Sequence, residues 1–127
     1  MRLHESVVDG IDVFALQGDI DLHYAPVLRS RLQTKIEART PTLVLDLSKV
    51  DYIDSNGLAT IMEYFRDAAK YGGILCMAGL NEHLKVIFEI VRLDKAIPMF
   101  ATAPEAIAAL KQGCVQRPSD ALFNRPA

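Results

Sequence analysis

The sequence predicts an α/β domain: a mixed β-sheet of about four to five strands packed with about four helices. Two short β-like runs flank Asp9-Gly10, a strong signal for an antiparallel hairpin. The nearly continuous apolar run Thr42–Leu47 is typical of a strand buried on both faces, and an amphipathic helix follows it. A second strand-then-helix pattern begins at Ile74. A hairpin followed by alternating strands and helices indicates a sheet of mixed direction.

The length of 127 residues (14.1 kDa) predicts one domain, which can bury roughly two-thirds of its unfolded surface. We expect this domain to occupy residues 1–112. Residues 113–127 contain two prolines and show no periodicity, which predicts a loosely ordered tail.

The charges exclude several classes of partner. Lysine and arginine total 14 against 16 acidic residues, a balance that gives no electrostatic pattern for nucleic acid or an anionic membrane. The apolar runs are too short to span a bilayer, and the N-terminus lacks a signal-peptide pattern. We therefore expect a cytoplasmic protein with no nucleic-acid partner and no membrane insertion.

The cysteines and histidines form no metal or redox motif. Cys76 lies within the apolar run Ile74–Ala78, which predicts a buried, inert thiol, and a disulfide to the distant Cys114 is disfavoured. The histidines are scattered, at His4, His23 and His83. We expect no metal and no cofactor.

In the first half of the chain, strands are predicted at Ser6–Val8 and Ile11–Leu16, with a bulge or close backbone approach at Gly18. A helix then begins near Pro26 and ends at Thr40-Pro41. Its predicted core stripe is Leu28, Leu32 and Ile36, and its predicted solvent face is Arg29, Arg31, Lys35 and Glu37.

In the second half, the helix after Asp54 is predicted to end at Gly72-Gly73 and to bury Leu58, Ile61, Met62, Phe65, Ala68 and Ala69. A strand at Ile74–Ala78 precedes a third helix, with Asn81 as its N-cap and a stripe of Leu84, Ile87, Phe88 and Val91. The short apolar run Ala96–Phe100 is predicted to form a last strand. Thr102 and Glu105 form a capping box for a fourth helix, which Gly113 closes.

The polar turn Asp54–Gly57, between the buried strand and the second helix, is the candidate functional site. Ser55 suits an N-cap there, a role worth about 1 kcal/mol that Asp54 could share. Ser55 also suits a regulated phosphorylation site, because helix N-termini favour anions. Gly57 removes a Cβ beside it and leaves room for a partner.

Catalytic interpretations of this turn are disfavoured. The sequence Asp54–Gly57 lacks the GxSxG nucleophile elbow, and nothing links His23 or His83 to Ser55. No phosphate-binding glycine loop occurs in the sequence. Asp19 and Asp21 are better explained as solvated loop carboxylates than as acids or metal ligands. We expect a protein that is not an enzyme.

The junction Val50–Leu58 resembles the signature of the STAS domain, found in anti-sigma factor antagonists and in the tails of sulfate transporters. Three further segments agree in order and spacing with that family, namely Gly18–Asp21, Leu45–Ser48 and Gly73–Leu80, and Phe100–Ala106 fits its last strand and helix start. The resemblance covers about Val7 to Leu110 and implies the STAS fold.

The resemblance implies a partner-switching role. The unphosphorylated protein would bind an anti-sigma factor that is also a serine/threonine kinase, and so release the sigma factor. The kinase would phosphorylate Ser55, which abolishes binding, and a PP2C-type phosphatase acting on phospho-Ser55 would restore it. The implied partner-binding residues are Asp19, Asp21, Tyr24, Asp54, Ser55, Asn56, Gly57 and Leu58.

Asn56 departs from the family pattern, because many members carry Ser or Thr there. The departure leaves Ser55 as the one hydroxyl in the motif and argues against phosphorylation at two positions. Two other functions stay open: an unphosphorylated STAS accessory subunit of a membrane transporter, in which Ser55 is only a cap, and a small-molecule or nucleotide sensor.

Overall fold

A computed structural model describes residues 2–113; the predicted tail from residue 114 onward, including Cys114, lies outside the described residues. The strands are β1 (Arg2–Val8), β2 (Ile11–Gln17), β3 (Thr42–Lys49), β4 (Ile74–Ala78) and β5 (Met99–Phe100). The helices are α1 (Ala25–Glu37), α2 (Ser55–Ala69), α3 (Glu82–Ile90) and α4 (Ala103–Lys111). The prediction of a mixed sheet of about four to five strands with about four helices is confirmed, with five strands and four helices in the described residues.

The strands lie in the order β1-β2-β3-β4-β5. The hairpin through Asp9 and Gly10, both with positive φ, makes β1 antiparallel to β2, and every later pair is parallel. Right-handed connections between neighbouring parallel strands place successive helices on one face of a sheet. Accordingly, α1, α2 and α3 pack on one face and α4 on the other.

Strand β3 is buried on both faces, as its apolar run predicts. Leu43, Leu45 and Leu47 lie in the core beneath the first three helices, whereas Val44 packs toward α4. Cys76 on β4 is also buried, and this burial raises the pKa of its thiol to about 12. Because β2, β3 and β4 are parallel, their carboxyl ends meet at one edge of the sheet. The loops into α1, α2 and α3 begin at this edge.

Three element predictions need correction. Strand β1 starts at Arg2 rather than Ser6. The last strand is only Met99–Phe100, because the amides of Ala96 and Ile97 donate to the carbonyl of Leu93 in a turn. Val91 is 39% exposed rather than part of the α3 core stripe, because α3 has already ended at Ile90.

Lys35 was predicted to be solvated, and this prediction is wrong. Its side chain is only 12% exposed, and its ammonium donates to Glu5 on β1 (2.7 Å) and Asp12 on β2 (3.0 Å). Arg31 also contacts Glu5, at 3.1 Å. We call Glu5, Asp12, Arg31 and Lys35 the Lys35 cluster. It joins α1 to the first two strands and carries no net charge.

Candidate functional site

The predicted site residues meet at the carboxyl edge of the sheet. The loop from β2 to α1 contains Asp19 and Asp21, and the loop from β3 to α2 ends at Asp54. The two loops are joined through their backbones. Ile20 forms a parallel bridge with Ile53, donates to the carbonyl of Tyr52 (2.9 Å) and accepts from the amide of Asp54 (3.1 Å). The topology thus places the first part of the predicted site beside the second.

Gly18 allows the chain to leave β2 toward this edge. Its φ is +96°, a conformation that side chains disfavour, and the pairing of β2 with β3 shifts register just before it. The amide of Gly18 donates to the carbonyl of Lys49 (2.9 Å), which confirms the predicted close approach of backbones.

The N-cap of α2 is Asp54. The prediction that Ser55 is the N-cap is therefore wrong. The carboxylate of Asp54 accepts from the amides of Asn56 (2.9 Å) and Gly57 (3.0 Å) through one oxygen. Its other oxygen accepts from the amide of Leu22 (3.0 Å), in the preceding loop. We call these four residues the Asp54 cluster.

The hydrogen bond from the Gly57 amide is the main cause that holds the pKa of Asp54 below its ordinary value, and donors from Asn56 and Leu22 act in the same direction. The carboxylate is therefore ionised at neutral pH. Its partners are neutral donors, so the Asp54 cluster keeps a negative charge.

Ser55 is the first residue of α2 and is exposed. Because Asp54 already supplies the cap, the serine hydroxyl is not needed to hold the helix start. Asn56 is exposed as well, whereas Leu58 is half-buried against the core. The exposed part of the motif is therefore the pair Ser55 and Asn56.

Gly57 is buried, and its lack of a side chain is a packing requirement. A Cβ at this position would lie 2.7 Å from side-chain carbons of both Ile20 and Ile53, and 2.8 Å from the carbonyl oxygen of Ile20. The space predicted beside Ser55 is thus filled by the two loops rather than left for a partner. Gly57 allows α2 to start against the bridge between them.

The remaining predicted residues lie in the loop from β2 to α1. Asp19 is exposed, and the half-buried Asp21 accepts from the amides of His23 (3.0 Å) and Tyr24 (3.3 Å) in a local turn. Tyr24 is 38% exposed and directly precedes α1. Asp21 therefore shapes the loop as well as contributing charge.

Sequence reasoning did not assign three exposed residues at this edge to the site, namely Leu22, Tyr52 and His83. Leu22 is 68% exposed, and Tyr52 is 46% exposed and stacks on His83 of α3, with ring centroids 6.5 Å apart. Asn81 caps α3 as predicted and also donates to the carbonyl of Val50 (3.3 Å), so the third loop joins the other two. A large apolar residue next to Asp21 in a polar loop, as at Leu22, was the available signal.

Within residues 2–113, no group of three histidine, cysteine, aspartate or glutamate side chains is placed to hold a metal ion. The same part of the chain has no helix that is both long enough and apolar enough to cross a membrane. The arrangement is an exposed surface formed by three loops and two helix starts, which is suited to contact with another protein.

Fold and site together define a small α/β binding domain whose exposed motif opens a helix at the carboxyl edge of the sheet. The model of the family described as "STAS domain" matches residues 5–106. This chain belongs to the STAS domain family.

Curated relatives and solved structures agree with that family. The anti-sigma-B factor antagonist of Bacillus subtilis is 36% identical over 86 residues, which cover 68% of this chain and 78% of the relative. The phosphorylated form of the Bacillus cell fate determinant SpoIIAA matches with a TM-score of 0.72 at 21% identity, covering 86% and 99% of the two chains. A sulfate transporter family protein from Wolinella succinogenes matches with a TM-score of 0.74 at 23% identity, covering 84% and 89%.

Proposed function

We propose that this protein is an anti-sigma factor antagonist that switches partners through phosphorylation of Ser55. Unphosphorylated, it binds an anti-sigma factor that is also a serine/threonine kinase, and the sigma factor is released. Phosphorylation of Ser55 ends that binding, and a PP2C-type phosphatase reverses it. The protein itself acts by binding in the cytoplasm and catalyses no reaction.

One observation carries the proposal: Ser55 is exposed at the first position of α2 and has no capping duty, because Asp54 performs it. The serine can therefore be modified without loss of the helix start. The curated relative from Bacillus subtilis is named an anti-sigma-B factor antagonist, and SpoIIAA exists in a phosphorylated form by its description.

Electrostatics support the direction of the switch. A phosphate on Ser55 adds roughly −1.5 to −2 charges beside the ionised Asp54 and close in sequence to Asp51. The amides of Asn56 and Gly57 already donate to Asp54 and are not free to neutralise a phosphate. The phosphate charge therefore stays unneutralised at the surface that the partner contacts. An unfavourable binding free energy of only ~1.4 kcal/mol lowers affinity tenfold.

The decisive experiment is phosphorylation by the serine kinase encoded nearest to this gene, with ATP and intact-mass analysis. We expect one phosphate on the wild type and none on Ser55→Ala. Ser48→Ala, which removes an exposed serine from the end of β3, is the matched control and should be labelled like the wild type. Labelling of Ser55→Ala at the wild-type level would overturn the proposal.

Binding provides a second test. Ser55→Asp should lower the affinity for the kinase about tenfold or more while leaving the melting temperature nearly unchanged, because the side chain is exposed and a carboxylate suits the first helical turn. Equal binding by the wild type and Ser55→Asp would show that charge at this position is not the switch.

A second function has one specific observation in its favour, the similarity in fold to the sulfate transporter family protein. In that case the same edge docks on a transporter subunit and Ser55 is never phosphorylated. Co-purification with transport subunits, together with the absence of phosphate under the kinase assay, would favour this function.

A further inference from the structure

The Asp54 cluster holds the tip of the loop from β2 to α1 through a single side chain. The base of this loop is fixed by the backbone bridge between Ile20 and Ile53. Beyond Ile20 the tip forms its own turn, in which the amide of Tyr24 donates to the carbonyl of Asp21 (3.1 Å). The contact from the tip to the start of α2 is the hydrogen bond from Leu22 to Asp54.

We propose that Asp54 is a positioning residue for partner binding: its carboxylate fixes the loop tip, with Asp21 and the exposed Leu22, against the start of α2 beside Ser55. This inference rests on the proposed function. It assigns to Asp54 an action through the loop, because both of its carboxylate oxygens accept hydrogen bonds from within the protein.

The two carboxylate oxygens of Asp54 accept hydrogen bonds from two different segments of the chain. One of these donors, Leu22, precedes Asp54 by 32 residues. One oxygen caps the helix at Asn56 and Gly57, and the other holds Leu22. A partner that touches Ser55 then meets a loop tip that is already in place and does not lose conformational freedom on binding. Such pre-organisation increases affinity because less ordering occurs in the complex.

This division allows the cap and the loop contact to be separated by substitution. Asp54→Ser keeps a good N-cap, but its side chain is too short to serve Leu22 as well. Asp54→Asn retains one carbonyl oxygen, which cannot serve both segments because the amide nitrogen only donates. Both variants should retain α2 and release the loop tip.

The same contact can be removed from its other end. Leu22→Pro deletes the donor amide and leaves Asp54 and its charge unchanged. Leu22 follows the first residue of the turn that Tyr24 closes onto Asp21, a position where proline is favoured. Leu22→Ala is the matched control, because it shortens the exposed side chain but keeps the amide.

The experiment measures affinity for the anti-sigma kinase and amide hydrogen exchange by NMR in each variant. We expect Asp54→Ser and Leu22→Pro each to weaken binding about tenfold, with the double variant no weaker than either single one. Leu22→Ala should weaken binding less than Leu22→Pro. In Asp54→Ser the Leu22 amide should exchange faster, while the Asn56 and Gly57 amides stay as slow as in the wild type.

Thr102→Ala is the control for a purely structural effect. Thr102 caps α4 by accepting from the amide of Glu105 (3.3 Å), on the opposite face of the sheet. Its loss should lower the melting temperature and leave affinity unchanged. If Leu22→Pro bound like Leu22→Ala, or if the two losses in the double variant were additive, the positioning role would be overturned.

The design also separates this inference from the proposed function. If the wild type bound no anti-sigma kinase, the proposed function would fail. The exchange rates would still decide the local claim, because an unchanged Leu22 amide in Asp54→Ser would overturn the role of Asp54 in holding the loop. Faster exchange there would uphold it.

Discussion

The Lys35 cluster and the Asp54 cluster both use carboxylates to join separate segments, but they treat charge in opposite ways. In the Lys35 cluster, two acidic side chains face two basic ones, and the ammonium also lies 5.5 Å from the centre of the Phe14 ring. In the Asp54 cluster the carboxylate is held by neutral donors. Charge is thus neutralised where only the fold benefits and retained where a partner is expected.

In the proposed function, this difference would explain how phosphorylation of one serine acts as a switch. A phosphate added within the Lys35 cluster would meet cations and form new ion pairs, which tends to order a structure. A phosphate on Ser55 meets an ionised carboxylate whose donors are already in use. It therefore changes the surface that a partner meets and leaves the packing of the domain intact.

The largest expected effect is that of Gly57→Ala, which disrupts the packing of the Asp54 cluster. The new Cβ would press on Ile53 and on the backbone carbonyl of Ile20. We expect a loss of about 1–3 kcal/mol in unfolding free energy, despite the better helix propensity of alanine, together with loss of kinase binding. Urea denaturation and a binding titration measure the two effects, and a more stable variant would show that the two loops tolerate the methyl group.

The next largest expected effect is that of Lys35→Met, which disrupts the Lys35 cluster. It keeps an apolar stem of similar length but leaves Asp12 and Glu5 without their shared cation. We expect a loss of about 1–3 kcal/mol in unfolding free energy, with phosphorylation of Ser55 unchanged. Arg29→Met, which removes an ion pair to Glu63 that is about half exposed, is the control and should cost at most about 1 kcal/mol. Equal losses in the two variants would contradict a special role for the Lys35 cluster.

The smallest expected effect is a pH dependence specific to the Lys35 cluster. The hydrogen bond from Lys35, followed by that from Arg31, lowers the pKa of Glu5 below its ordinary value of 4.5. Burial lowers the pKa of Lys35, but hydrogen bonds to Glu5 and Asp12 outweigh burial and leave it above its ordinary value of 10.5.

The stabilisation by Glu5 is therefore present above pH 4.5 and is lost as pH falls through its lower folded pKa. The stabilisation by Lys35 is present below pH 10.5 and is lost as pH rises through its higher folded pKa. In urea titrations, Glu5→Gln should be less stable than the wild type at neutral pH, and the difference should shrink in acid. A difference that grew as pH fell would contradict these pKa directions.

The helix caps show how far sequence alone could go. Asn81 and Thr102 were correctly predicted as N-caps, because each is the one capping residue next to its helix and accepts from an amide only three residues on. At α2 two capping residues stand side by side. The choice of Asp54 over Ser55 depends on contacts with Leu22 and Ile20, more than thirty residues earlier, which no local pattern contains.

Lys35 and Gly57 illustrate the same limit for packing. Helical periodicity placed Lys35 on the solvent face, yet its partners Glu5 and Asp12 come from strands 30 and 23 residues away. The sequence indicated that Gly57 needed space, but the neighbours that fill that space, Ile20 and Ile53, follow from the pairing of two loops. The fold class and the sequence of strands and helices along the chain depend on patterns within segments and were predictable. The fine structure of the site depends on contacts between segments.

The position of α4 has a practical consequence for experiments on this protein. Lys111, at the end of α4, contacts Asp9 in the hairpin turn (3.3 Å), at the amino ends of the parallel strands. Ser55 lies beyond their carboxyl ends, across the length of the sheet. A fluorophore or surface tether attached just after Lys111 therefore presents the Ser55 edge outward, so binding and phosphorylation can be followed on immobilised protein without masking the surface under study.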